Sequence, residues 1–466
     1  MKKLLYLLFL LIIQSTYSQD FKIDIKFDDK VDYLNTDSIY MRSFNPQSKK
    51  FEDLYTQKFT STVTFKDNTP LEAGVYVIYL DSNILVEFLI SDTKSQKFTV
   101  QCTDKDIIFI NSPENTANRQ YVQKIGNFRS KEAKLNETFR KLNESQLPRD
   151  QLQPQVDTIL AEAKRINLEK REYQLEIAKE YQGTLLSSVI KASIEASLPP
   201  EELFKNRKAL FEFMVTHVFE YYDWGDERML NTPLSYAKMD YFIQLVSQME
   251  PEHAFPFVME TLQESKQTQK SYYAFFDLLE KKFGYLTSSY RDELLYIEML
   301  KDALQEKDLS EARKLRYTRE LSIIDKNRVG ERVADFNMLS GNGDTLTLYS
   351  ISTDYTLIYF QNPDCPNCIE VREKMKTIEV INNVIDAQKL TVLTVYFEKN
   401  EEIWRRYLLN ANPKYIHTWN FDHAIEEHYL FDVRIIPTMF LLDKDKKVIK
   451  KDLPSNEIES VMKKLF

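Results

Sequence analysis

The chain has 466 residues but only 3 cysteines, 8 glycines and 5 histidines. Cysteine this sparse excludes a disulfide-stapled scaffold, because bridges replace a hydrophobic core only when they are dense. No glycine follows Gly343, so turns beyond it must be made by polar runs such as Asp443-Lys444-Asp445-Lys446. Long hydrophobic runs are missing too. After Leu4–Ile13 no stretch approaches the roughly eighteen apolar residues that span a bilayer, so no stable membrane insertion of the mature chain is expected. Positive charge is in deficit: 62 basic residues face 71 acidic ones, a formal net charge of −9. That balance favours solubility and argues against nucleic acid or an anionic membrane as the main partner.

What is present begins with an export signal. Met1-Lys2-Lys3, the apolar run Leu4–Ile13 and the small residues Thr16-Tyr17-Ser18 have the three regions of a signal peptide, residues 1–18. The apolar run is too short to anchor, and no cysteine follows it to carry a lipid. The expected location is therefore the periplasm or cell envelope.

A chain of this length predicts two to three domains. Residues 19–112 read as β, opening with the strict alternation Phe21-Lys22-Ile23-Asp24-Ile25-Lys26-Phe27. Further strands are expected at 38–44, 58–65, 74–80, 85–90 and 97–102, together a small antiparallel sandwich. Cys102 alternates in phase with Phe98 and Val100, which predicts a buried free thiol. Residues 113–327 read as an all-α helical bundle, with the three-and-four spacing of Val156, Ile159, Leu160, Ala163 and Ile166 as its clearest stripe. Helices are expected near 151–182, 200–223, 233–249, 253–268, 271–283, 287–305 and 309–325. The aromatics Tyr221, Tyr222 and Tyr272–Phe276 are read as core. Residues 328–466 alternate strand and helix: strands at 356–360, 390–397, 438–442 and 447–451, helices after 369, at 401–410, at 422–429 and from Ser455. That pattern predicts an α/β layer on a central sheet. The fold class is thus multi-domain α+β.

The chemistry concentrates at Cys365-Pro366-Asn367-Cys368. Thr356–Phe360 reads as a buried strand leading into it, and 369–380 as a helix leading out. A thiolate attacks a disulfide where a neutral thiol does so poorly, so the site must stabilise negative sulfur. Free N–H groups and the dipole at a helix N-terminus do so. Pro366 suits the first helical position. Cys365 is then the exposed nucleophile and Cys368, one turn inward, the resolving thiol. Asp364 works against the thiolate as an adjacent negative charge. Ile436-Pro437-Thr438 supplies an X–Pro bond that can be cis. A cis turn there presents the backbone of Ile436 to a substrate segment. Other uses of the pair are weaker. A structural disulfide remains as an alternative. Zinc wants four ligands and there is no second CxxC; copper would need His417, His423 or His428. A peroxidase would want threonine where Asn362 stands. No cofactor and no metal are expected.

These features give the C-terminal part a resemblance. Gly330, Ala334-Asp335-Phe336, the CPNC motif and Ile436-Pro437-Thr438 running into Phe440-Leu441-Leu442-Asp443 resemble the TlpA/ResA-type thioredoxin-like proteins, and the complete chain is similar to multi-domain forms exported to the envelope by Bacteroidetes. The resemblance implies a thioredoxin fold over 328–466, a redox-active CxxC, and protein thiols or disulfides as substrates. It departs from thioredoxin at Asp364, where an aromatic residue is usual, and at Tyr359, where an acid is usually buried. The reading is an extracytoplasmic thiol-disulfide oxidoreductase that reduces protein disulfides with electrons from an unidentified envelope donor. The rival is an envelope binding or scaffold protein whose thioredoxin-like part only docks.

Overall fold

The structure, a computed structural model, describes residues 21–466 except 29–36, 81–82, 93, 95, 146, 197–202 and 204. The export segment read at 1–18 lies outside the described residues. The chain divides into two compact units, Met1–Leu279 and Glu280–Phe466.

The first unit opens with eight strands: β1 (Phe21–Phe27), β2 (Ser38–Asn45), β3 (Lys50–Lys58), β4 (Thr62–Asp67), β5 (Gly74–Leu80), β6 (Asn83–Ile90), β7 (Lys97–Cys102) and β8 (Ile107–Ile110). They form two four-stranded sheets, β4-β1-β7-β8 and β3-β2-β5-β6. Alternation decides which side chains go in: Phe21, Ile23, Ile25 and Phe27 of β1 are buried while Lys22 and Lys26 face out. One hydrophobic core takes residues from both sheets, including Phe65, Ile78, Phe88, Val100 and Cys102. The sandwich is not wholly antiparallel, because β1 pairs with β7 in parallel. The whole β2–β6 stretch lies between those two strands and supplies the long crossover that parallel pairing requires. The strand expected at 58–65 is β4, which starts only at Thr62, and β3, which ends at Lys58, is an additional strand before it.

Among the described residues seven α-helices follow: α1 (Pro113–Asn143), α2 (Arg149–Glu180), α3 (Leu185–Ser193), α4 (Arg207–Thr216), α5 (Pro233–Val246), α6 (Pro251–Glu264) and α7 (Gln269–Leu279). Proline occupies the first turn of α1, α5 and α6, where a missing N–H is harmless. Tyr222, Tyr272, Phe275 and Phe276 are buried. Phe219, Trp224, Phe242 and Phe275 pack as one aromatic cluster with ring centroids 4.7 to 5.9 Å apart.

The second unit starts with a π-helical turn, Glu280–Gly284, then α8 (Glu293–Ala303) and α9 (Glu311–Ile324). Gly284 is there because a Cβ would sit 2.7 Å from the Tyr296 ring. The Tyr296 hydroxyl donates to buried Glu280, which also takes two bonds from Arg316. Next come β9 (Asn337–Ser340), β10 (Thr345–Thr347), β11 (Tyr355–Gln361), α10 (Pro366–Thr377), α11 (Glu379–Asp386), β12 (Leu390–Tyr396) and α12 (Glu401–Leu408). The chain closes with β13 (Ile416–Trp419), α13 (Ala424–Glu427), β14 (Thr438–Asp443), β15 (Val448–Lys450) and α14 (Ile458–Leu465). The strands make one seven-stranded sheet, β10-β9-β13-β12-β11-β14-β15, with β11, β12 and β13 parallel to one another. Each face has its own core. Leu357 and Tyr359 of β11 point to the face covered by Val371, Met375, Ile381 and Met462. Ile358 and Phe360 point to the other, with Phe336, Phe431 and Phe440. That alternation brings Tyr359 under the helix that carries the cysteines.

Candidate active site

β11 ends at Gln361, and a tight turn reverses the chain into α10. The Asn362 carbonyl accepts from the Cys365 N–H at 3.1 Å, and its side-chain oxygen accepts from the Asp364 N–H at 2.9 Å. Cys365 is the N-cap residue and Pro366 the first residue of the helix. The Ile369 N–H closes the first turn on the Cys365 carbonyl at 3.0 Å. One turn inward, Cys368 is fully buried, while Cys365 is half-buried.

The Cys368 thiol is pushed up to about 12, first by burial and further by contact with Cys365; the Asn362 backbone and the Tyr359 phenol act in the opposite direction. Tyr359 is fully buried and donates from its hydroxyl to the Cys368 carbonyl at 2.6 Å. Burial, then the neighbouring Cys368, drives the phenol's pKa upward, so it stays a neutral hydrogen-bond donor. The ionisable group buried against the backbone of Cys368 is thus a phenol.

Arg372, one turn beyond Cys368, donates to Gln361 Oε1 at 2.9 Å and lies over the Tyr407 ring at 5.1 Å. The Tyr407 hydroxyl meets His417 Nδ1 at 3.2 Å, and the Thr394 hydroxyl meets it at 2.7 Å. His417 Nε2 faces the Asn412 carbonyl at 2.8 Å, which assigns the proton to Nε2. Burial lowers the His417 pKa, so the ring is neutral. Both its nitrogens are thus engaged, which removes it as a ligand for the cysteine pair. Among the described residues no group of three or more His, Cys, Asp or Glu side chains could hold a metal ion. Asp364, beside Cys365, is paired with Arg406 at 2.7 Å on the surface.

The Ile436–Pro437 peptide bond is cis. Thr438 is buried and donates to the Ile435 carbonyl at 2.5 Å, tying the turn to the start of β14. Pro437, Thr438 and Asn367 line one cavity of about 400 Å³, so the proline turn and the CPNC helix share a wall. Behind the turn lies Asp432, 2% exposed, which receives two bonds from Arg434 at 2.6 and 2.8 Å. Arg434 also pairs with Glu320 of α9, and Arg291 approaches Asp432 at 3.5 Å while pairing with Asp452. The sequence reading found the cysteines and Ile436-Pro437-Thr438 but none of Arg372, Tyr407, Arg406, Arg291, Asp432 and Arg434. Most of their partners lie ten or more positions away along the chain, the Asp432–Arg434 pair excepted, and charged residues on predicted helices are most simply read as solvated.

Comparisons with known proteins agree with this architecture. Residues 147–327 match a family described only as a domain of unknown function, DUF5106. Among solved structures, a thioredoxin-like protein from Bacteroides caccae is 26% identical, with a TM-score of 0.53 over 57% of this chain and 97% of the other. The C-terminal domain of an uncharacterized protein from Bacteroides fragilis is 33% identical over 30% of this chain and 99% of its own, with a TM-score of 0.29. The thioredoxin domain of a thiol-disulfide oxidoreductase from Bacteroides vulgatus is 17% identical over 29% of this chain and 96% of its own, with a TM-score of 0.27. No curated protein matches the chain significantly. The chain is therefore similar in fold to a thioredoxin-like protein.

Proposed function

We propose that the protein is an extracytoplasmic thiol-disulfide oxidoreductase of the TlpA/ResA type, with Cys365 as nucleophile, Cys368 as resolving thiol, and Ile436, Pro437 and Thr438 as the substrate-holding turn. Asp364, Pro366 and Asn367 shape the site. The observation that carries this reading is a half-buried sulfur at the N-cap of α10 with a fully buried one a helical turn inward. Cys365 thiolate attacks one sulfur of a protein disulfide; a mixed disulfide forms and the other substrate sulfur leaves as thiolate, then takes a proton. Cys368 loses its proton and attacks Cys365 Sγ, closing the intramolecular disulfide and releasing the second substrate thiolate. The substrate gains two electrons and two protons, and an external dithiol donor in the envelope returns the pair to the reduced state.

Export rests on the pattern of residues 1–18. No helix among the described residues is long and apolar enough to cross a membrane. Reduction of insulin disulfides with dithiothreitol as donor tests the activity: turbidity rises faster with the protein than without it, and a flat trace contradicts the reading. The envelope scaffold is the alternative, and full biological activity in a C365S/C368S double variant would favour it.

A further inference from the structure

The cavity beside the CPNC helix is not walled by the thioredoxin-like elements alone. Leu286 and Arg291 line it together with Asn367, Glu370, Ile435 and Pro437. Residues 286 and 291 belong to the stretch that matches the domain of unknown function, so part of that stretch contributes a wall to the groove next to the cysteines.

The charges around the groove are unequal. Asp432 is held by Arg434 and Arg291, Asp452 by Arg291, Glu320 by Arg434, and Glu293 by Lys451. These cations are all committed to carboxylates. Glu370, exposed on α10 one turn beyond Asn367, has no ion pair or hydrogen bond among the described residues. Among the residues that line the groove, two cations, Arg291 and Arg434, thus face three carboxylates, Asp432, Asp452 and Glu370, and the uncommitted one is Glu370. Beside it the exposed Ile435 side chain and the backbone of the proline turn offer an apolar contact and an edge for an extended chain. A cavity of about 400 Å³ admits side chains of an extended segment and excludes a folded domain.

Resting on the disulfide-exchange reading above, we propose that this groove seats an extended segment of the substrate protein and selects one with a lysine or arginine close to its disulfide cysteine, with Glu370 as the residue that recognises the cation. Arg291 and Arg434 hold the opposite wall in place, so the acidic excess stays on the groove rather than being neutralised by a mobile cation.

The test uses the full-length mature protein, reduced, and two peptides of equal length, each carrying one disulfide, flanked by lysines in one and by glutamates in the other. Second-order rates of peptide reduction are measured at low salt and in 0.5 M sodium chloride. The lysine peptide reacts about tenfold faster at low salt, and the gap shrinks in high salt as Coulomb attraction is screened. Glu370→Gln closes most of the gap and Glu370→Lys turns it toward the glutamate peptide. Glu373→Gln, which removes a surface carboxylate already paired with Lys376, leaves the gap in place. Equal rates for the two peptides with the wild-type protein overturn the charge selection and leave the redox reading standing. Failure of both peptides to react overturns the redox reading itself.

Discussion

Cys102 in the first unit and Cys368 in the second are 1% and 0% exposed, and burial pushes both thiols up, to about 11 and about 12. Their surroundings differ. Cys102 ends β7 inside an apolar core, with Phe27, Val86 and Val100 in the same cluster. Cys368 sits one turn inside a helix, touching a second sulfur and a phenol, with Arg372 one turn further on. Burial alone makes an inert thiol. A buried thiol becomes a resolving group when a half-buried partner at a helix tip can bring it a mixed disulfide.

The comparison breaks most sharply by exchanging single sulfurs. Cys365→Ser is expected to reduce insulin reduction to the buffer background, while Cys102→Ser keeps the rate and costs about 1–3 kcal/mol of stability for a buried hydroxyl without a designed partner. If Cys102→Ser abolished activity in a folded protein, the distinction would fail. Next in size is the charge network behind the proline turn. Asp432→Ala leaves Arg434 and Arg291 without their buried partner and is expected to cost about 3–5 kcal/mol in denaturant unfolding.

The pH dependence separates the two thiols. Both have folded pKa values above the ordinary thiol range, so their contribution to stability is complete below about pH 9 and is lost as pH rises through the folded values. For the reduced protein, stability should fall between pH 9 and about 12, by roughly 3 kcal/mol on account of Cys102 alone. Cys102→Ala removes that part of the slope. Resolution of a mixed disulfide on Cys365 should accelerate as pH rises, because Cys368 must lose its proton first and burial holds that proton on. Tyr359→Phe is expected to slow that step severalfold at a given pH; an unchanged rate would show that the phenol has no part in it. The smallest effect expected is at the surface pair Asp364–Arg406, with both side chains more than half exposed, where Arg406→Ala should change stability by less than about 1 kcal/mol.

Much of this was readable in the sequence because the relevant signals are local. Period-two alternation marked β1, the CPNC motif between a buried strand and a helix marked the cysteines, and the Ile-Pro-Thr step marked the turn before β14. Elements without a local signal were missed. β3 is a polar edge strand, Lys50–Lys58, with little to bury, and β8 has only four residues. β13, Ile416–Trp419, carries a histidine and threonine among its four residues, yet it lies between β12 and β9 in the sheet. The helix expected over 422–429 shrinks to Ala424–Glu427, because His423 and Tyr429 both adopt left-handed backbone conformations. The Arg291–Asp432–Arg434–Glu320 network joins residues more than a hundred positions apart, so no window of sequence contains it.

The most direct test of the account is a redox titration of the Cys365–Cys368 pair in defined thiol buffers, with the products counted by mass. The account predicts a single reversible two-electron transition to an intramolecular disulfide, well below about −250 mV as a reductant requires. A potential near −120 mV would contradict the reducing direction. Failure of the two sulfurs to form a bond across the whole range would contradict the redox site altogether.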